Sequence, residues 1–384
     1  MTYPSRMKKI CFVTGTRADY GIMSPLMQAL SRRDDIELQI IATNMHLAPQ
    51  FGMTVNEIIA DGLNVSWRID SLLSGDSPAA TVKTMGLTQI GMADALSHLT
   101  PDLIVILGDR YEMLAAASAA LIYRIPVAHL YGGETTEGAY DDAIRHAITQ
   151  LSTYHFTSTE QYARRVISMG AKPENVHWIG SLGVDNITHE DFLPLHDLEE
   201  SIGHELGKRF IVATFHPVTT TPGEEVSQTK ALLQALDRKI AEGWKVLFTM
   251  PNSDTGGNLV AATIREWAAA HPEAVAVSAS LGRRRYYSAL KHAAAVVGNS
   301  SSGLIEAPSF GIPTLDIGDR QKGRARGRSV MNVAPDPEAI SAALDTLLSA
   351  EFREVAESSE NPYAKPDTLN TLLHYLLEIT EALH

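Results

Sequence analysis

The sequence predicts an α/β protein built from two doubly wound, parallel-sheet domains. Short apolar runs alternate with longer helical stretches along most of the chain. The runs are continuously apolar, as strands buried on both faces of a parallel sheet must be. The rhythm stops once near the middle and then resumes, and 384 residues exceed one ordinary domain.

Taken in order, Lys9–Thr14, Leu38–Thr43, Leu103–Leu107 and Pro126–Tyr131 read as strands of the first domain, each followed by a helical pattern or a turn. Between residues 183 and 208, Thr188-His189-Glu190-Asp191 and Pro194-Leu195-His196-Asp197 break the rhythm, and Leu198–Leu206 reads as a connecting helix. The second series is Phe210–Phe215, Lys245–Met250, Ala274–Ser278, Ala294–Gly298 and Thr314–Ile317. In Thr368–His384, Leu369, Leu372, Leu373, Leu376, Leu377 and Ile379 recur at helical spacing, which suits a tail that crosses back to brace the first domain. The expected division is residues 1–185 joined by a helix over 366–384, and residues 205–362.

Hydrophobic residues make up 45% and charged residues 20%, a composition that excludes disorder as the main state. The charge sum, 32 − 45 = −13, disfavours nucleic acid and anionic membranes as partners, so an anionic ligand needs a local basic pocket. Cys11 is the only cysteine, which excludes an internal disulfide and Cys-based zinc or iron–sulfur sites. The basic opening up to Lys9 leads only into Ile10-Cys11-Phe12-Val13, too short for a signal segment. Met113–Tyr123 falls well short of the roughly 18 apolar residues of a membrane span. A cytoplasmic protein is expected, and no metal or cofactor motif is present.

Ligands of doubly wound sheets sit at the carboxyl ends of the strands, so the residues just beyond each strand matter most. After the first comes Thr14-Gly15-Thr16-Arg17-Ala18-Asp19-Tyr20-Gly21, neither a Walker A loop nor GxGxxG. Glycine permits close backbone approach, the helix start favours an anion, and Arg17 adds a planar charge. An ordinary strand–helix turn is the bland account of the same residues. After Ala294–Gly298, the hydroxyls of Ser300, Ser301 and Ser302 can surround a phosphate. Glu306, expected one helical turn inside, is placed to accept from both hydroxyls of a ribose. A serine cap with a dipole-favouring glutamate is the alternative, though a cap needs one serine and this loop has three.

His216, kept out of helix by Pro217, is placed either to meet a diphosphate leaving group or to sit in the core. Asn252, Ser253 and Asp254 offer polar contacts after the strand ending at Met250. Carboxylates gather at the strand ends of the first half: Asp109 beside Arg110, Glu134 after Gly132-Gly133, then Asp141 and Asp142 opening a helix. Carboxylates close together in a cleft push their pKa values apart, so that one serves as base and another as acid. Helix-stabilising i,i+4 pairs with Arg145 and His146 are the structural alternative for Asp141 and Asp142. Arg320, Lys322, Arg324, Arg326 and Arg328 occupy alternate positions and suit an anion-binding or lid loop. A solvated loop accounts equally for the distal arginines, and Arg320 alone is retained as a site candidate.

Seven stretches in order carry a family resemblance: GTRADYG at 15–21, LGDRYE at 107–112, GGETTEGAYDDAIRHAI at 132–148, IGSLG at 179–183, FHPVTT at 215–220, GNSSSGLIEAP at 298–308 and DIGDRQKGR at 316–324. Together they resemble the hydrolysing UDP-N-acetylglucosamine 2-epimerases of sialic and nonulosonic acid biosynthesis. The resemblance implies a GT-B fold, two Rossmann-like domains facing a central cleft. It also implies elimination of UDP and hydration of the resulting glycal to a C2-inverted free sugar, with no metal or nicotinamide. A UDP-linked sugar is the implied ligand and a homodimer the implied assembly. Asp109, Glu134 and Asp141 become the acid/base candidates. Arg17, His216, Ser300, Ser301 and Arg320 become diphosphate or nucleotide contacts, Glu306 the ribose contact and Asn252 a nucleotide contact. Gly21, Arg110, Arg145 and Ser302 complete the ligand-side set. One departure is Tyr131, where some members carry the first glutamate of a His-x-Glu-Gly-Gly-Glu segment; it shifts proton transfer toward Glu134 or Asp141 and fits a different sugar, such as a 2,4-diacetamido-6-deoxyhexose. The rivals are a non-hydrolysing epimerase, a GT-B glycosyltransferase and a nucleotide-sugar sensor without turnover.

Overall fold

The computed structural model describes residues 7–75, 77–252 and 254–383, so the opening residues 1–6, Asp76, Ser253 and His384 lie outside the described residues. The first sheet contains β1 (Lys8–Thr14), β2 (Ile36–Thr43), β3 (Trp67–Ile69), β4 (Leu103–Leu107), β5 (Val127–Leu130), β6 (Tyr154–Thr157) and β7 (Val176–Trp178). The second contains β8 (Phe210–Thr214), β9 (Lys245–Thr249), β10 (Val275–Ser278), β11 (Ala295–Gly298), β12 (Thr314–Ile317) and β13 (Val330–Val333). Their orders are β3-β2-β1-β4-β5-β6-β7 and β10-β9-β8-β11-β12-β13, and the pairings are parallel. Each order reverses once, between β1 and β4 and between β8 and β11, and ligands of such sheets bind at that reversal.

Alternation along the strands explains the layers. Ile10 and Phe12 of β1 face a core with Met23 and Met27, while Cys11 and Val13 face a core with Met92 and Met113. In β8, Ile211 and Ala213 face one core and Phe210 and Val212 another. Both sheets are therefore buried on both faces, which is why their central strands are continuously apolar.

Four strands escape the apolar-run criterion. β3, β7 and β13 are edges of three or four residues carrying Arg68, His177 and Asn332, and β6 carries His155. The connecting helix spans Leu195–Ile202 rather than Leu198–Leu206. Gly203 ends it in the left-handed region at φ 69°, where glycine is unstrained, and the Glu199 carboxylate accepts from the N–H of Leu206 (2.8 Å) and Gly207 (2.7 Å). The tail helix, Thr368–Ala382, returns to the first sheet: Leu372, Leu376 and Ile379 join the Ile10/Phe12 core. Thr368 donates to the Ile179 carbonyl at 2.7 Å. Among the described residues no helix is long and apolar enough to cross a membrane.

Candidate active site

The two reversal points open onto one cleft. It is lined by all fourteen candidates: Arg17, Gly21, Asp109, Arg110, Glu134, Asp141, Arg145, His216, Asn252, Ser300, Ser301, Ser302, Glu306 and Arg320.

The turn after β1 is built by a capping box. Thr16 Oγ1 accepts from the Asp19 N–H at 3.3 Å, and the Asp19 carboxylate accepts from the N–H groups of Gly15 (3.0 Å) and Thr16 (3.1 Å). Gly15 must lack a side chain, because a Cβ there would overlap the buried Glu112 carboxylate, which in turn accepts from Arg110 Nε at 2.7 Å. Arg17 is engaged by Glu57, Nε to Oε2 at 2.8 Å.

The carboxylates after β4 and β5 sit in different environments. Glu134 Oε2 pairs with Arg145 Nη1 (3.0 Å) and Arg324 Nη1 (2.7 Å), and Oε1 accepts from Ser158 Oγ (2.6 Å). Asp109 pairs with the other Arg145 nitrogen and keeps a partly exposed side chain. Asp141 does not make the i,i+4 pair of the structural alternative, since Arg145 turns to Asp109 and Glu134; Asp142 does pair with His146, at 3.5 Å. Among the described residues Asp141 Oδ2 has no hydrogen-bond partner. Burial and the neighbouring Asp254 carboxylate push the Asp141 carboxyl up to about 6, against the pull of Arg320 and Arg110. Burial acts on Asp254 too, but Arg110 and Arg320 overcome it and hold that carboxyl below its ordinary range.

His216 is fixed by its own backbone: its N–H donates to Asn299 Oδ1 (2.7 Å), and Asn299 Nδ2 donates to its carbonyl (2.8 Å). Burial, then Arg320, lower its pKa to about 3, so the ring is neutral. Nδ1 accepts from the Asn252 N–H at 3.3 Å, which leaves Nε2 as the proton-bearing donor. The ring therefore offers a neutral hydrogen bond rather than a charge.

The helix opened by the serine loop is a single turn, Ser302–Ile305, and Glu306 stands at its end rather than one turn inside. The loop thus offers hydroxyls more than a helix dipole. At Gly298, φ is 137° and a Cβ would overlap the Thr214 carbonyl, so only glycine lets β11 meet β8 at the reversal. The Ser302 hydroxyl accepts from Tyr286 Oη at 2.8 Å. Burial lifts Glu306 to about 7, only partly opposed by its Ser302 hydrogen bond.

The sign of that shift makes a stability prediction. Below the unfolded value of about 4.5 the carboxyl is neutral in both states and burial costs nothing electrostatic. As pH rises through 7 that advantage over the ionised unfolded state is lost. Glu306→Gln should raise the ligand-free unfolding free energy at pH 8 by up to about 3 kcal/mol, with the gap closing at pH 4.5. Urea melts at the two pH values measure it.

Arg324, for which the sequence left a solvated loop and an anion-binding loop open, is buried and pairs with Glu134, which removes the solvated alternative for that residue. Arg326 faces Asp316 at 3.5 Å, and Lys322 stays exposed. Ala279-Ser280-Leu281-Gly282 also lines the cleft, directly after β10. Its signal in the sequence is its place at a strand end, since it carries no chemically distinctive side chain. Tyr131 lines the cleft too, its hydroxyl 3.0 Å from Ser181 Oγ and accepting from the Gly183 N–H at 3.3 Å.

A model of the UDP-N-acetylglucosamine 2-epimerase family matches residues 28–377. A Campylobacter jejuni protein named GDP/UDP-N,N'-diacetylbacillosamine 2-epimerase (hydrolyzing) is 38% identical over 347 residues, 90% of this chain and 89% of its own. The Escherichia coli polysialic acid biosynthesis protein P7 is 37% identical over 363 residues, covering 94% and 92%. The S. aureus MnaA–UDP structure superposes with a TM-score of 0.80 at 18% identity, over 98% of this chain and 97% of that one.

Proposed function

The chain belongs to the UDP-N-acetylglucosamine 2-epimerase family, and from that premise we propose that it is a hydrolysing member. Its substrate would be a UDP-linked 2-acetamido sugar: UDP-N-acetylglucosamine, for which the family is named, or the diacetamido sugar for which the C. jejuni relative is named. The products would be UDP and the C2-inverted free sugar. The observation that carries this reading is the pairing of unlike carboxyl groups across one cleft. Asp109 is held by Arg145, whereas Asp141 Oδ2 has no partner among the described residues and the carboxyl retains its proton nearer neutrality.

Inversion at C2 needs proton removal on one face and delivery on the other. Asp109, held in place by Arg145, takes the C2 proton. The C1–O bond breaks and its electron pair leaves with UDP, forming the C1=C2 bond of a 2-acetamidoglucal. C2–H is a poor acid, so the departing diphosphate must be stabilised as the bond breaks. Arg320, the Ser300 and Ser301 hydroxyls and the His216 Nε2–H are the donors that would meet it. Asp141 then gives its proton to C2 while water adds at C1 on the same face, and the water's surplus proton returns to Asp141. Asp109 sheds its proton to solvent. Glu134, held by Arg145, Arg324 and Ser158, keeps the arginines in place rather than moving protons. Tyr131 has no carboxyl to contribute, which supports giving the two proton transfers to Asp109 and Asp141.

Proton NMR in D2O with each UDP-sugar tests the proposal. Free UDP with a C2-deuterated, C2-inverted sugar is expected. Intact nucleotide-sugar gaining deuterium at C2 would replace it with the non-hydrolysing reaction. UDP release without C2 exchange would replace it with simple hydrolysis or glycosyl transfer.

A further inference from the structure

Arg110 and Arg320 reach the cleft from opposite sheets, after β4 and after β12, and each side chain is only 11% exposed. Asp254, from the turn after β9, lies between them with its side chain 3% exposed. Its Oδ1 accepts from Arg110 Nη1 at 3.1 Å and its Oδ2 faces Arg320 Nη2 at 3.8 Å. Arg110 also has Glu112. Arg320 otherwise donates to the Asn299 carbonyl at 3.2 Å, and among the described residues its Nε has no partner. A buried guanidinium without an anion is strongly unfavourable, so a ligand-free cleft of this kind needs a resident counter-charge. A carboxylate and a phosphate meet that need alike, since both present oxyanion oxygens to a forked donor.

We propose that Asp254 is a positioning residue that stands in for the diphosphate in the ligand-free cleft, holding Arg110 and Arg320 across the two sheets until the phosphates take Arg320 from it. The inference rests on the reading that a diphosphate binds beside Arg320 and the serine loop. It explains why a carboxylate sits among groups that would otherwise serve only an anion. It also gives the exchange a use. The groups around Asp254 are Arg110, Tyr140, Asp141, His216 and Arg320. Once Arg320 turns to the phosphates, the Asp254 charge is less compensated toward Asp141, and the proton on Asp141 is favoured when substrate is in place.

Asp254→Asn keeps the shape and removes the charge. Calorimetric titration with UDP, and separately with inorganic pyrophosphate, should show the variant binding each about tenfold more tightly than the parent. Its ligand-free thermal midpoint should fall, and kcat and KM should fall together. A residue that only supports structure would lower the midpoint and weaken binding, and either that result or unchanged affinity overturns the inference. Tighter pyrophosphate binding in a protein that ignores UDP would uphold it while removing the nucleotide reading. Normal UDP binding by the parent without a gain in the variant would do the reverse. A crystal structure of the parent with UDP gives a test that needs no variant: Arg320 should leave Asp254 for a phosphate oxygen. An Arg320 still beside Asp254 and touching no phosphate would overturn the inference.

Discussion

Asp141→Asn is expected to lower formation of the C2-inverted sugar by roughly 10²–10⁴-fold while leaving UDP affinity near the parent value. The substitution preserves shape and removes only the group that delivers a proton to C2. Asp109 and its Arg145 partner stay intact, so elimination continues, and the variant should release the 2-acetamidoglucal with UDP. The same NMR assay detects that glycal directly. The pH dependence has a definite sign. Burial and Asp254 raise Asp141 to about 6, so it is protonated below that value and loses its acid form above it. Parental turnover should fall as pH rises through the Asp141 transition in the complex, and this limb should vanish from the residual activity of the variant. Equal turnover in both proteins, or loss of UDP binding in step with turnover, would remove Asp141 from the proton-delivery role.

Much of the architecture is readable because central strands of a doubly wound sheet have no polar face to disguise them. β4 and β12 match the expected runs to the residue, and β1, β2, β5 and β8–β11 differ by a residue or two at their ends. The edge strands are hidden for the opposite reason: half exposed, they carry Arg68, His177 or Asn332 in place of an apolar run. Site candidates are legible where a strand end supplies the place and a chemically distinctive residue supplies the signal, as with Asp109, His216 and the serine loop. Partnership is not legible. Nothing at i,i+4 spacing shows that Arg145 turns from Asp141 to Asp109 and Glu134, because that choice is made by the positions of β4 and β5. Arg324 reads as one of a basic series open to a solvated or an anion-binding role until the first sheet brings Glu134 against it. Asp254 looks like a loop polar residue until two arginines from different sheets converge on it.

Arg145 is where fold and chemistry depend on one side chain, and Arg145→Met should be the most damaging substitution for stability. The guanidinium is 1% exposed and divides its two outer nitrogens between Asp109 and Glu134, with Thr136 Oγ1 accepting at 3.2 Å. It therefore ties the turns after β4 and β5 to the helix Asp141–Leu151. Methionine fills much of the volume but leaves neighbouring carboxylates with one cation fewer. Breaking such a buried pair costs about 3–5 kcal/mol, and urea unfolding of parent and variant should show a loss of that order. Arg145→Lys should recover only part of it, because an ammonium is a point charge and cannot serve two carboxylates as a planar fork does. The kinetic effect separates positioning from general destabilisation. Without the guanidinium, Asp109 loses the partner that fixes its carboxylate beside Glu134. Folded Arg145→Lys should therefore lose kcat for proton removal at C2 while UDP affinity stays near the parent value. A destabilised variant with unchanged kcat would make Arg145 a structural tie with no part in positioning Asp109.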